Sequence, residues 1–122
     1  MLVVAGTSVA EGRWLTVLPA MRGEVYAGLM VKNGESLRPD GEPWLLDEEL
    51  IEAQCERLSA SAIGPRIGNG TYPHARGVAP LLESVVAHGQ CDLGLWEPTY
   101  GRLAEAQVKW EAAHGRSLSV AP

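Results

Sequence analysis

A glycine turn, two thiols and three imidazoles are the groups in this chain equipped for chemistry. Gly68-Asn69-Gly70 follows an apolar stretch, Ala62 to Ile67, and precedes a helical one after a loop. Glycines there let a phosphate or an adenosine approach the backbone, so the three residues are the candidate cofactor-binding turn. Neither a Walker lysine nor a full G-x-G-x-x-G accompanies them, and ordinary turn formation is the simpler role. Cys55 and Cys91 belong to no C-x-x-C pair. Cys55 falls on an apolar helical stripe and reads as a buried thiol. His74, His88 and His114 have no ligand spacing with either cysteine, which argues against zinc. Ser59 and Ser61 stand at a helix end as turn formers. No G-x-S-x-G elbow and no H-E-x-x-H helix occurs, so hydrolase chemistry has no local support. His74 is a solvated loop residue, and His88 and His114 fall in last helical turns, where a cation suits the dipole. No catalytic residue, metal or cofactor is assigned.

The elements that must position these groups read as one domain over residues 1–122. Hydrophobic residues make up 46% and charged residues 20% of the 122, an ordinary globular balance. The longest apolar runs fall far short of the roughly 20 residues a spanning helix needs. Met1 to Ala5 lacks the basic region of a signal peptide, so the expected compartment is the cytoplasm, and a structural disulfide is not expected there. The formal net charge is −5, without a basic stripe. Phosphate contacts supply most nucleic-acid affinity, so direct nucleic-acid binding by this domain is not expected.

Trp14 to Leu18 reads as a strand, and Glu24 to Val31 as a second with apolar residues on both faces. Pro19 to Gly23 connects them as a hairpin. Asn33-Gly34 is a strong reverse-turn dipeptide leading to a third short strand near Pro43 to Leu46. Asp47 reads as an N-cap, followed by Ile51, Cys55 and Leu58 on one helical stripe. Ala62 to Ile67 is a fourth strand, with Pro65 arguing for an edge position or a bulge. Val78, Leu81, Leu82, Val85 and Val86 form the stripe of a core-facing second helix over 78–88, with Gly89 as its stop. Residues 90–102 form a surface loop, 103–114 a third helix carrying a Glu105–Lys109 pair, and 115–122 a tail. Trp44, Trp96 and Trp110 read as partly buried packing residues. Trp96 and Trp110 also stand where exposed aromatics mark interfaces, and Trp110 is the candidate interface residue. The sum is α/β (α+β by some schemes). Its β-β-β-α-β-α order is that of ribonuclease-H-like units, two of which make an actin-like (ASKHA) fold.

Two short motifs bear on function. Arg22-Gly23-Glu24-Val25-Tyr26 opens the second strand, and Glu97-Pro98-Thr99-Tyr100-Gly101-Arg102 follows far downstream. Together with the element order, they resemble the second half of the TsaB proteins (YeaZ, Gcp-like or M22 glycoprotease-like). The resemblance covers about residues 14–102 and rests on Arg22, Gly23, Glu24, Tyr26, Glu97, Pro98, Tyr100 and Arg102. It departs from the family at Pro19, where an aspartate is usual, and at Met21, where an arginine is usual. The resemblance implies a non-catalytic accessory protein in the synthesis of threonylcarbamoyladenosine in tRNA, acting through a TsaD-like catalytic subunit with a TsaE-like ATPase. Met1 to Ser8 faintly resembles the opening strand of the family's first half. Gly6-Thr7-Ser8 equally resembles the linker before the second half, the preferred reading, so the N-terminal half is expected to be missing from this chain. A domain without its twin should expose an apolar patch and self-associate, with Trp110 or the second-strand edge near Tyr26 in a two-fold contact. Two other readings stay open: a nucleotide-binding or hydrolytic enzyme using Gly68–Gly70, and a stand-alone homodimerising module.

Overall fold

Gly12–Pro19 (β1) is the middle of a mixed sheet because β-branched and apolar side chains alternate to both of its faces. The fold is given by a computed structural model that describes residues 2–6, 10–68, 70–98, 104–115 and 117. Glu24–Asn33 (β2) runs antiparallel to β1, with Leu15 opposite Leu29 and Val17 opposite Ala27. Ser36–Pro39 (β3) and Trp44–Asp47 (β4) both pair with the far side of β2. Ser61–Ile63 (β5) lies parallel to β1 on its other side, and the order across the sheet is β3 and β4, β2, β1, β5.

The third strand expected near Pro43 to Leu46 is thus the second part of a longer, interrupted one. Met30 pairs with Pro39 and Ala27 with Trp44, so three steps along β2 correspond to five along its neighbour. The two surplus residues bulge out at Asp40 to Pro43. There Gly41 takes a φ of +90°, and the Asp40 amide donates to the Leu29 carbonyl at 2.8 Å. Gly and Pro beside a strand interruption are what a bulge requires. β5 ends at Ile63, and Pro65 lies in the following turn. The strand expected over Ala62 to Ile67 stops because Gly64 packs on the backbone of Val17.

The alternation along β1 and β2 sends apolar side chains to two separate clusters. Leu15, Val17, Val25, Ala27 and Leu46 face Ile51, with Cys55 and Leu58 against them. Ile51–Leu58 (α2) therefore covers this face with the stripe its sequence shows. The expected Asp47 cap does not form. Asp47 is the last residue of β4, and the Glu48 amide donates instead to the Gly23 carbonyl at 2.9 Å, so the hairpin turn satisfies one orphan donor at the start of this helical stretch. At its other end, Arg13 Nε donates to the Leu58 carbonyl at 2.9 Å.

Met30, Leu37 and Trp14 point the other way and meet Ala5 and Leu81. Leu2–Gly6 is a short helix (α1), with Val4 and Ala5 fully buried. Of the expected linker Gly6-Thr7-Ser8, Gly6 closes this helix and the other two lie outside the described residues. The helix crosses a 3₁₀ stretch, Ala75–Leu81, so closely that a side chain on Gly6 would strike the Gly77 carbonyl. Thr16 is the one buried polar residue among those described. Its Oγ1 donates to the Gly28 carbonyl at 2.8 Å, which removes the cost of burying the hydroxyl. Thr16→Val keeps the shape and loses the bond, so it should destabilise by about 1 kcal/mol. Chemical denaturation at unchanged m-value measures this.

Candidate functional site

Leu82–His88 (α3) carries the feature that bears most directly on function. Its sequence predicts a core-facing stripe, yet Leu82, Val85 and Val86 are 54%, 56% and 76% exposed, and Leu81 alone of the stripe is buried. The reason is helical pitch. Residues 75–81 wind as a 3₁₀ helix containing Pro80, which repeats every three residues, so the 3.6-residue phase on which the stripe rests breaks before α3 begins. Leu81 anchors the preceding segment to the sheet, and α3 turns away with its apolar side uncovered. In the segment that follows, Leu93, Leu95 and Trp96 are also exposed. Asp92 orders the start of it, its Oδ1 accepting the Gly94 amide at 2.9 Å. Trp96 is therefore a surface residue and not a partly buried packing residue. Large apolar side chains uncovered along one helix favour contact with another surface.

The Arg22-Gly23-Glu24 motif forms the turn between β1 and β2. The Glu24 amide donates to the Met21 carbonyl at 3.3 Å, and Arg22 and Gly23 both take positive φ, +63° and +78°. Glycine accepts that region freely, whereas arginine holds it at a steric cost. Arg22 Nη2 lies 3.7 Å from Glu105 Oε2 at the start of Glu105–His114 (α4), and Glu105 Oε1 pairs with Lys109 at 3.1 Å. The pairs are exposed and contribute little energy, but they bring the C-terminal helix to the hairpin. Tyr26 lies within β2 between Leu18 of β1 and Leu45 of β4. The expected second-strand edge at Tyr26 is thus already covered on both sides, which leaves no free edge there for a two-fold contact. Glu97 and Pro98 are exposed. Tyr100, Arg102 and Asn69 lie outside the described residues.

Trp110 is half-buried and its ring stacks on His114 of the same helix, with centroids 4.2 Å apart. His114 Nδ1 also lies 2.8 Å from the Trp110 carbonyl. Gly68 and Gly70 have positive φ, +56° and +74°. The Gly70 amide donates to the Ile67 carbonyl at 2.9 Å and the Thr71 amide to the Gly64 carbonyl at 2.8 Å. These amides are spent closing the turn. The next helical stretch starts only at Ala75, with His74 Nδ1 accepting the Arg76 amide at 3.1 Å.

An open groove of about 460 Å³ lies where α2 meets the turn after β5, floored by Ile51, Cys55, Ala62 and Ile67 and rimmed by Glu48, Glu49 and Glu52. Arg66 faces Glu48 at 3.9 Å. Cys55 is half-buried there, less enclosed than its stripe implies. Burial pushes its thiol pKa up and the Glu52 carboxylate adds to the rise, so it stays protonated and a poor nucleophile at neutral pH. Among the described residues, no cluster of three or more His, Cys, Asp or Glu side chains is arranged to hold a metal ion. Among them also, no helix is long and apolar enough to cross a membrane. No model of a known protein family matches the chain, and no curated protein matches it.

Proposed function

We propose that this chain is a TsaB-like accessory domain of the cytoplasmic machinery that makes threonylcarbamoyladenosine in tRNA, and that it acts by docking on a TsaD-like catalytic subunit served by a TsaE-like ATPase. The observation that carries a docking role is the uncovered apolar side of α3, Leu82, Val85 and Val86. The strand order adds support. Antiparallel strands followed by a helix and a strand parallel to the first follow the order of a ribonuclease-H-like unit, half of an actin-like fold. Further support comes from Arg22-Gly23-Glu24-Val25-Tyr26, which occupies the first hairpin of that order. The nucleotide reading of Gly68 to Gly70 has no comparable support, since the Gly70 and Thr71 amides are bonded within the turn.

The test is titration of the purified chain with a TsaD-like subunit by calorimetry, beside the variant Leu82→Asp/Val85→Asp. The native chain should bind saturably. Two buried charges at an apolar contact should weaken binding by roughly a hundredfold or more. Both positions are exposed in the free chain, so the melting temperature should move by no more than about 2 °C. Absence of binding by the native chain, or equal binding by the variant, overturns the reading. A stable two-fold dimer of the chain alone, lost in the same variant, would favour the homodimerising module instead.

A further inference from the structure

Asn33 closes β2 and pairs with Ser36 of β3, so Gly34 and Glu35 are the two residues of the turn between them. Gly34 takes a φ of +60° at the first of these positions, the conformation a type II′ hairpin demands of its glycine. Glu11 lies one residue beyond the last β1–β2 pair, Gly12 with Lys32, and so falls opposite Asn33. From there its Oε1 accepts the Gly34 amide at 2.9 Å. Asn33, Gly34 and Glu11 are all exposed, and the space beside Gly34 is open, since a side chain built there would meet nothing within 4 Å.

An asparagine followed by glycine on an open, solvated turn has its own chemistry. We infer that Asn33-Gly34 is a site of spontaneous succinimide formation in this protein and that Glu11 is the residue that restrains it. In the reaction the Gly34 amide nitrogen gives up its proton to solvent base and attacks Cγ of Asn33. The new C–N bond closes a five-membered imide, and the carboxamide nitrogen leaves as ammonia. Water then opens either imide carbonyl, giving aspartate or isoaspartate. One water is consumed and one ammonia released, with no change of oxidation state. Glu11 opposes the first step twice over. Its oxygen holds the proton that must leave, and its negative charge disfavours the amide anion that forms beside it.

The consequence reaches the core. Isoaspartate adds one atom to the main chain at the tip of the β2–β3 hairpin, next to the pairs Asn33 with Ser36 and Lys32 with Leu37. Leu37 is a member of the cluster formed with Ala5, Met30 and Leu81. Loss of that register loosens the face of the sheet that α1 and the 3₁₀ stretch cover.

The experiment ages the purified full chain in warm, mildly alkaline heavy-oxygen water and follows Asp and isoAsp by peptide mass spectrometry. Asn69-Gly70, the same dipeptide elsewhere in the chain, is the internal control. In Glu11→Ala the reaction at Asn33 should run roughly fivefold faster, the scale of one solvent-exposed charge-assisted hydrogen bond, with the Asn69 rate unchanged. Glu11→Gln keeps an oxygen acceptor and loses the charge, so its rate should fall between the two. An unaltered or slower rate at Asn33 in Glu11→Ala overturns the inference. So does parallel acceleration at both asparagines, which would trace the effect to general loosening of the fold.

Discussion

Leu15→Ala should remove about 4 kcal/mol of stability and lower the melting temperature by roughly 15 °C. Leu15 is fully buried in the middle of β1. It stands opposite Leu29 of β2 on one side and Ala62 of β5 on the other, and it belongs to the cluster that seats Ile51 of α2. Its neighbours are held by strand ladders on both sides, so they cannot close over the space left behind. The cost therefore includes both the lost transfer energy and a residual cavity. A domain of this size has only about 5–15 kcal/mol in total, and the variant would sit near the margin of folding. The comparison that makes the result decisive is Leu82→Ala, the same chemical change at an exposed site on α3. That variant should stay within about 0.5 kcal/mol of the native chain. Urea unfolding of the two side by side measures the difference. Equal losses would mean that α3 is packed and Leu15 is not central.

Gly64→Ala is the second large effect, about 3 kcal/mol, and it arises from the backbone instead of from the core. Gly64 is buried just after β5, and a methyl group there would run into the Val17 carbonyl and come within 3.0 Å of Val17 Cγ2. Because its φ is not in the left-handed region, the penalty is steric overlap alone. The strand cannot simply move aside. Thr16 pairs with Ile63 immediately before it, and the Gly64 carbonyl accepts the amides of Ile67 and Thr71 at 3.2 and 2.8 Å. Relief therefore requires either breaking the parallel β1–β5 pairing or unfolding the turn that carries Gly68 and Gly70. Hydrogen exchange at Ala62 and Ile63 should rise together with the loss of stability. A variant with native exchange and native melting would show that the approach of β5 to β1 is looser than described.

The groove residue Cys55 and the glycine turn illustrate how chemistry is decided by surroundings. A cysteine on a helix can be inert packing or a nucleophile, and its spacing does not distinguish the two. Here burial and, next, the Glu52 carboxylate both raise the thiol pKa and so disfavour the thiolate. A glycine turn can likewise present amides to an anion or use them itself. Here the Gly70 and Thr71 amides point back to Ile67 and Gly64.

Local patterns by themselves determined much of the frame. The strand formers of Trp14 to Leu18 specified a strand, and apolar residues on both faces of Glu24 to Val31 specified one covered on both sides. Ile51, Cys55 and Leu58 specified the face of α2 that meets the sheet, and the Glu105–Lys109 pair formed as its spacing required. These are near-neighbour effects in which the backbone period alone fixes which side chains share a face. Three features were settled only by tertiary structure. The two surplus residues at Asp40 to Pro43 show up only against β2, because a bulge is a mismatch between two strands and not a property of either. Residues 2–6, too short to form a stable helix alone, become ordered by burying Val4 and Ala5 against the 3₁₀ stretch. The stripe on α3 is a true apolar face that none of the described residues covers over most of its length. Periodicity tells which side of a helix is apolar, but whether that side meets the core depends on where the preceding turn, with its own pitch, aims it.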